Sequence, residues 1–188
     1  MDIGIWGDSI TYGEGDNEGL GWVGRLRRSL LTTDCCVYNF GVCGDTTEDL
    51  LKHFVVEASS IRPDTIVFAI GINDSKFPAN ETTNKVTLER FQKNIQELIK
   101  FARDYTNKVY IVGATKVNDT AIRDSGTRFD NEIIQTYNKY LKEVSSLENL
   151  VFIETFDILD IDNDLADGLH PNAQGYEKLY QTLKGFLQ

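Results

Sequence analysis

The sequence predicts a doubly wound α/β fold with a five-stranded parallel sheet. Five short apolar runs rich in β-branched and aromatic residues recur along the 188 residues, and each is followed by a loop and a segment with helical periodicity. This alternation is typical of parallel sheets, because a helix usually carries the chain back to start the next parallel strand. No repeat, low-complexity tract or linker interrupts the series, so we expect residues 1–188 to form one domain.

The third apolar run has no polar residue after its first position, which favours a central strand covered on both faces. The other runs are shorter and are expected to lie on either side of it. In chain order, the predicted strands are Ile3 to Trp6, Val37 to Phe40, Thr65 to Ile70, Val109 to Val112 and Val151 to Ile153.

Helical periodicity is clearest in two segments, where apolar residues recur at steps of three and four. These segments run from Leu88 to Ala102 and from Phe129 to Val144. Shorter versions of the pattern cover Trp22 to Leu30, Glu48 to Val55 and Tyr176 to Leu187.

Charge and hydropathy exclude several classes of partner. The formal net charge is -10, which argues against nucleic acid or an anionic membrane surface, since both select basic proteins. No apolar stretch reaches transmembrane length, so no integral membrane association is expected. A neutral or cationic small molecule fits this charge better.

Cysteine usage and the first residues predict a cytoplasmic location. Met1 is followed by an acidic residue and a strand-like run rather than a secretory signal. The three cysteines, Cys35, Cys36 and Cys43, are odd in number and are interpreted as free thiols without metal-ligand spacing. Neither a metal nor a cofactor is expected.

Three polar, glycine-marked loops follow the first three strands. Gly7-Asp8-Ser9 follows the first, Gly41 to Gly44 the second, and Gly71-Ile72-Asn73-Asp74 the third. Ligands of open parallel sheets bind beyond the carboxyl ends of the strands. We therefore expect the three loops to meet at one edge of the sheet and to form the site.

A serine and a histidine far apart in sequence are the candidates for chemistry. A serine hydroxyl is a weak nucleophile unless an oriented base takes its proton. Of the two histidines, only His170 has a carboxylate, Asp167, at a spacing that brings both onto one turn. Each motif alone also fits a turn or a helix cap. Together they favour a serine hydrolase, with Asp167 on Nδ1 of His170 and Nε2 facing Ser9.

Two further positions could stabilise an oxyanion. Asn73 offers an amide N–H at the mouth of the central strand, although it could also form an Asx turn with Asp74. Gly44 could let a substrate approach the main chain, or could serve only a left-handed backbone.

Taken together, these segments resemble the SGNH hydrolase superfamily, the GDSL-type esterases and lipases. The four matching blocks occur in family order: Gly7-Asp8-Ser9-Ile10-Thr11, Asn39 to Thr46, Gly71-Ile72-Asn73-Asp74, and Asp167 to His170. The resemblance implies a flavodoxin-like three-layer α/β/α sandwich.

The same resemblance implies a role for each site residue. Ser9 would be the nucleophile, His170 the base and Asp167 its partner. The oxyanion hole would come from the Ser9 and Gly44 backbone N–H groups and the Asn73 side chain. Gly44 is preferred over Gly41 because it directly precedes the Asp-Thr of the family block.

The function predicted is hydrolysis of carboxylic esters through a serine acyl-enzyme. The loops at 75–87 and 116–128 are expected to shape the pocket, with Phe77, Pro78 and Phe129 as candidate apolar lining. No lid-like apolar helix is evident, so short-chain acyl or acetyl esters are favoured over triglycerides. Lysophospholipids and thioesters remain alternatives within the same fold.

Two alternatives lie outside ester hydrolysis. A noncatalytic carbohydrate- or acyl-ligand-binding protein would lack a catalytic residue, and none is missing. A phosphate- or nucleotide-binding module would need a phosphate loop after the first strand. The glycines between 13 and 21 are interleaved with acidic residues instead, and predict a flexible loop beside Ser9.

Neither the remaining histidine nor any cysteine is assigned a catalytic role. His53 lies among apolar residues at helical spacing and is interpreted as a structural or surface histidine. Cys43 adjoins Gly44, so it could lie near the site and make the enzyme sensitive to thiol reagents.

Overall fold

The computed structural model describes residues 1–121 and 125–187, and its sheet confirms the predicted fold class. Every neighbouring pair of strands is parallel, and the order across the sheet is β2-β1-β3-β4-β5. The strands are β1 (Asp2–Gly7), β2 (Cys36–Gly41), β3 (Thr65–Ala69), β4 (Val109–Val112) and β5 (Val151–Ile153).

Each predicted helix is present in the described residues. Single-turn helices that the sequence did not predict follow the first and third strands. The helices are α1 (Ser9–Tyr12), α2 (Gly21–Ser29), α3 (Thr47–Ile61), α4 (Ile72–Ser75), α5 (Leu88–Ala102), α6 (Asn131–Leu147) and α7 (Ala173–Leu187). Helix α3 is longer than the predicted segment from Glu48 to Val55, because Ala58 and Ile61 continue its apolar face.

The sheet is sandwiched between two layers of helices. On one face α3, α5 and α6 cover a core that includes Trp6, Phe68 and Phe91. On the other face α2 and α7 cover Ile5 and Val67. Strand β3 lies in the middle and its interior side chains are almost fully covered, as its unbroken apolar run predicts.

Strand register sets where the loops begin. Gly7, the last residue of β1, pairs with Gly41 on β2 and with Ala69 on β3. The three central strands therefore end at the same level, and the loops that follow them emerge side by side.

The structure bears on the expected lack of membrane-spanning helices and on the expected free thiols. Among the described residues, no helix combines the length and apolar character needed to cross a membrane. Cys35, Cys36 and Cys43 carry free thiols.

Candidate active site

Ser9 lies at the first turn of α1, directly beyond the end of β1. Asp8 caps this short helix, and its Oδ1 accepts a hydrogen bond of 3.0 Å from the Ile10 N–H. Glycine is required at two flanking positions: a Cβ on Gly7 would lie 2.2 Å from the Thr11 hydroxyl, and one on Gly41 would lie 2.3 Å from the Tyr12 nitrogen. Close packing of strand ends against α1 thus fixes the backbone that carries the serine.

The predicted base and its carboxylate reach Ser9. Nε2 of His170 lies 2.9 Å from Ser9 Oγ, and Nδ1 of His170 lies 2.7 Å from Oδ2 of Asp167. The other oxygen of Asp167 accepts the backbone N–H groups of Leu169 and His170 at 2.9 and 2.8 Å. The structure therefore brings Ser9, His170 and Asp167 together as one hydrogen-bonded chain.

Hydrogen bonding keeps Asp167 ionised. Burial alone raises its pKa, but the backbone and ring N–H groups of His170 and the N–H of Leu169 outweigh that effect. The net result is a pKa below the ordinary value for aspartate. A carboxylate at this position favours the neutral tautomer of His170 that carries its proton on Nδ1, in which the lone pair of Nε2 faces Ser9.

The loop that carries His170 is fastened to its surroundings. The Ala166 N–H donates to the His170 carbonyl at 2.8 Å, and the Asn118 N–H donates to the Gly168 carbonyl at 2.8 Å. Gly168 has a φ of 82°, which favours glycine at this turn. These contacts hold the imidazole in register with α1.

Asn73 lies on α4, directly after β3. Its Nδ2 donates to the Asp45 carbonyl at 3.1 Å, and its Oδ1 accepts from Lys76 Nζ at 3.0 Å. The two bonds fix which way the amide faces. A side-chain amide has two N–H donors, so one remains for a ligand.

The backbone at Gly44 has the left-handed conformation that glycine favours, with a φ of 87°. In the part of the chain that the structure describes, and apart from its two chain neighbours, no atom lies within 4 Å of the position that a Cβ of Gly44 would take. Gly44 lines the cleft at Ser9, whereas Gly41 packs against Thr11 and Tyr12. Open space beside Gly44 leaves room for a ligand next to its main chain.

A cleft of about 760 Å³ opens above Ser9. Most of the residues that line it are polar or charged, and Phe129 and Leu169 are its large apolar members. The lining residues are Ser9, Glu14, Cys43, Gly44, Asn73, Lys76, Ser125, Thr127, Phe129, Asp167, Leu169 and His170.

The two predicted pocket loops contribute unevenly. From the loop at 75–87 only Lys76 lines the cleft, and Phe77 and Pro78 do not, contrary to their suggested role as apolar lining. The loop at 116–128 contributes Ser125 and Thr127, and its residues 122–124 lie outside the described part of the chain. Sequence reasoning missed Lys76, although its position one helical turn after Asn73 was a usable signal.

A short antiparallel bridge joins these two loops. The Phe77 N–H donates to the Arg128 carbonyl at 2.8 Å, and the Arg128 N–H returns a bond of 3.0 Å to the Phe77 carbonyl. The Arg128 guanidinium lies 5.3 Å from the centre of the Phe77 ring. Phe77 thus joins the two loops through its backbone hydrogen bonds and its ring, instead of lining the cleft.

Two buried carboxyl groups lie beneath the site. Burial raises the pKa of Asp8 and of Asp74 to about 7 in each case. Asp74 accepts the Thr47 N–H at 3.1 Å, which ties α4 to the start of α3. Near neutral pH these groups are partly protonated, which limits the negative charge under Ser9.

Cys43 lies in the cleft wall, as its position beside Gly44 suggested. Burial and the neighbouring Glu14 raise the pKa of its thiol. A raised pKa lowers the thiolate fraction and therefore the reactivity towards thiol reagents.

The glycine-rich segment at 13–21, predicted to be flexible, is anchored by Arg25. The Arg25 guanidinium is largely buried and pairs with Asp16, whose side chain is fully covered, and with Glu18 and Glu177. It also donates to the Ala173 carbonyl at 3.2 Å, so this cluster fastens the segment to α7.

We expect Arg25→Ala to lower the free energy of unfolding by about 3 kcal/mol, because the covered Asp16 carboxylate loses its cationic partner and keeps only its backbone N–H bonds. Urea denaturation followed by circular dichroism measures this change. Arg28→Ala on the same helix is the control, since Arg28 is exposed and should change stability by less than about 0.5 kcal/mol. Equal stability of the two variants would contradict an anchoring role for Arg25.

Among the described residues, no group of three or more histidine, cysteine, aspartate or glutamate side chains is arranged to hold a metal ion.

A family model described as GDSL-like Lipase/Acylhydrolase matches residues 5–178. The chain belongs to this family. Membership confirms the resemblance drawn from the four sequence blocks. As a member of the family, this protein is a carboxylic ester hydrolase.

Known proteins resemble this GDSL-like hydrolase over most of its length. The uncharacterized protein YpmR of Bacillus subtilis is 26% identical over 208 residues, covering 97% of this chain and 81% of YpmR. The structure of a lipase/acylhydrolase from Enterococcus faecalis is 26% identical with a TM-score of 0.78, and the match covers 98% of this chain and 95% of that one. Axe2, an acetylxylan esterase from Geobacillus stearothermophilus, matches at 19% identity and a TM-score of 0.77, covering 98% and 93%. The Axe2 likeness supports the fold.

Proposed function

We propose that the protein hydrolyses short-chain acyl or acetyl esters through an acyl-enzyme on Ser9. The observation that carries this proposal is the continuous hydrogen-bonded chain from Ser9 Oγ through His170 to Asp167, with links of 2.9 and 2.7 Å. It is the geometry that a general base needs to activate a serine.

In the proposed first half-reaction, His170 Nε2 takes the proton of Ser9 as Oγ attacks the ester carbonyl. The Asp167 carboxylate stabilises the imidazolium that forms. Negative charge develops on the carbonyl oxygen, which would receive hydrogen bonds from the backbone N–H groups of Ser9 and Gly44 and from Asn73 Nδ2. His170 then protonates the leaving alcohol, and the acyl group stays on Ser9.

In the second half-reaction, water takes the place of the alcohol. His170 accepts a proton from the water as it attacks the acyl carbonyl, and Ser9 recovers its proton when the acid leaves. Both half-reactions need His170 neutral at the start, because only a neutral imidazole has a free nitrogen lone pair to take the proton. No step requires a metal or a cofactor.

The shape and polarity of the cleft favour a small acyl group and a polar alcohol. Glu14, Lys76, Ser125 and Thr127 border it, and these side chains suit a hydroxylated or carbohydrate alcohol better than a lipid. Behind Ser9, a largely apolar cavity lined by residues such as Asp8, Ile10 and Trp22 has only about 30 Å³ of space. That is room for about one water molecule, so a long acyl chain has no channel there. The fold likeness to an acetylxylan esterase is consistent with this choice.

A series of p-nitrophenyl esters from acetate to palmitate, assayed with a metal chelator present, tests the proposal. We expect turnover to be highest for acetate to butyrate and to fall at least about 10-fold for palmitate, because the cavity behind Ser9 is too small for a long acyl chain. Covalent labelling by a fluorophosphonate probe tests the serine directly. A preference for long acyl chains would favour the lysophospholipase or thioesterase alternative, and absence of both turnover and labelling would favour a binding protein.

A further inference from the structure

His53 is the other histidine of the chain, and it lies between two carboxylates rather than among apolar side chains. Its Nε2 is 2.8 Å from Oδ2 of Asp45, and its Nδ1 is 2.7 Å from Oε2 of Glu57. Its side chain is 28% exposed, so the cluster is only partly open to water. The same oxygen of Glu57 accepts the indole N–H of Trp6 at 2.9 Å, which anchors the cluster to β1.

Two carboxylate contacts determine the charge of this ring. A neutral imidazole donates from one nitrogen and presents a lone pair on the other, and a lone pair facing a carboxylate is repulsive. Both contacts are favourable only when both nitrogens carry protons. Partial burial lowers the pKa of His53, but hydrogen bonds to Glu57 and Asp45 outweigh it and hold the pKa above the ordinary value.

Asp45 is the link from this cluster to the oxyanion donors. Its carbonyl accepts the bond from Asn73 Nδ2 at 3.1 Å, and its N–H donates to the Val42 carbonyl at 3.2 Å. The latter bond closes a tight turn in which Gly44, with φ of 87°, is the third residue, as a type II turn requires. The position of Asp45 thus sets both the Asn73 amide and the peptide of Gly44.

We propose that the His53 imidazolium, by clamping Asp45, positions the Gly44 and Asn73 donors for the ester hydrolysis proposed above. His53 is a positioning residue, since it does not line the cleft. The inference rests on the proposed function, because the donors matter only if an oxyanion forms there. It also gives the enzyme a second histidine that must be protonated while His170 must be neutral.

The other charged groups around the clamp do not replace His53. Asp49 and Glu57 both add negative charge near Asp45, and Lys52 is paired with Asp49 at 2.7 Å. Burial raises the pKa of Asp45, and the hydrogen bond from His53 is the foremost effect opposing that rise. When His53 loses its proton, Asp45 therefore loses its one direct cationic partner among the described contacts.

The sign of the pH effect follows from the raised pKa of His53. The clamp is complete at pH values below the ordinary pKa of histidine and is lost as the pH rises through the folded-state value. Activity should accordingly fall on the alkaline side as His53 becomes neutral.

The test compares His53→Gln and His53→Arg with the wild type. At neutral pH we expect His53→Gln to lower kcat by about 10-fold, a fraction of the 10² to 10³ that a lost oxyanion donor costs, with KM changed less than about twofold. His53→Arg keeps a permanent positive charge, so it should recover most of kcat and remove the alkaline fall. Lys52→Gln removes one charge from the exposed side of the same helix and should leave kcat unchanged. Thermal melts check that the variants are folded.

Nuclear magnetic resonance gives a readout independent of turnover. With two histidines in the chain, ¹⁵N shifts of the ring nitrogens are assigned by comparison with His53→Gln. We expect more than half of the His53 rings to carry both protons at a pH equal to the ordinary pKa of histidine, because the shift is upward. A neutral His53 ring at that pH, an alkaline fall that persists in His53→Arg, or a kcat in His53→Gln no lower than in Lys52→Gln would each overturn the inference.

These outcomes separate the two proposals. If the wild type shows neither turnover nor fluorophosphonate labelling, the proposed function fails and the inference fails with it. If the wild type is active and the His53 variants behave like Lys52→Gln, the inference alone fails.

Discussion

Replacing Ser9 by alanine is expected to lower kcat for p-nitrophenyl acetate by about 10⁶-fold, to the level left by substrate binding and oxyanion stabilisation alone. The reason is that the hydroxyl 2.9 Å from His170 Nε2 is the atom proposed to form the acyl bond. His170→Ala should cost a similar factor, because an unassisted hydroxyl is a poor nucleophile. Steady-state kinetics on acetate esters, with fluorophosphonate labelling in parallel, measure both losses.

The double variant distinguishes a working unit from two separate contributions. If Ser9 and His170 act together, Ser9→Ala/His170→Ala should be no slower than either single variant. Ser59→Ala is the matched control, because it removes a hydroxyl from an exposed position on α3. Residual turnover in Ser9→Ala equal to that of Ser59→Ala would remove Ser9 from the mechanism.

Replacing Asn73 by alanine is expected to lower kcat by about 10² to 10³-fold, which is the usual cost of one oxyanion donor. KM should change little, since the donor acts on charge that is present only in the transition state. The amide is already aligned by the Asp45 carbonyl at 3.1 Å and Lys76 Nζ at 3.0 Å, so little motion is needed when the oxyanion forms.

Asn107→Ala is the control for the fall in kcat expected of Asn73→Ala. Asn107 is exposed and precedes β4, at the end of the sheet opposite the cleft. Its removal should leave kcat unchanged. A large rise in KM with unchanged kcat in Asn73→Ala would assign Asn73 to substrate binding instead of transition-state stabilisation.

The strands could be predicted from sequence because their apolar pattern is local, and the triad could be predicted because histidines are few in this chain. The apolar run from Thr65 to Ile70 predicts a strand buried on both faces without knowledge of distant residues, and β3 lies there at Thr65–Ala69. His170 was identifiable because the chain offers only one other histidine and only one carboxylate at the right spacing. The structure places these groups within hydrogen-bond distance of each other.

The sequence does not predict the role of residues whose contacts are with distant parts of the chain. Arg25 pairs with Asp16 nearby, but its bond to the Ala173 carbonyl joins residues 148 positions apart. The apolar neighbours of His53 in sequence predict a structural or surface histidine. Glu57 at i+4 on the same helix was a signal that sequence reasoning passed over, whereas Asp45 enters through the loop before α3.

The bond between Ser9 and His170 spans 161 positions of the chain, and the Arg25 cluster spans nearly as many. Parallel sheets of this kind have few local contacts to close their sites early. A growing chain that has reached only β5 therefore holds the serine without its base. The loop that carries His170 leads into α7, so we expect esterase activity to return during refolding no earlier than this loop packs against α1.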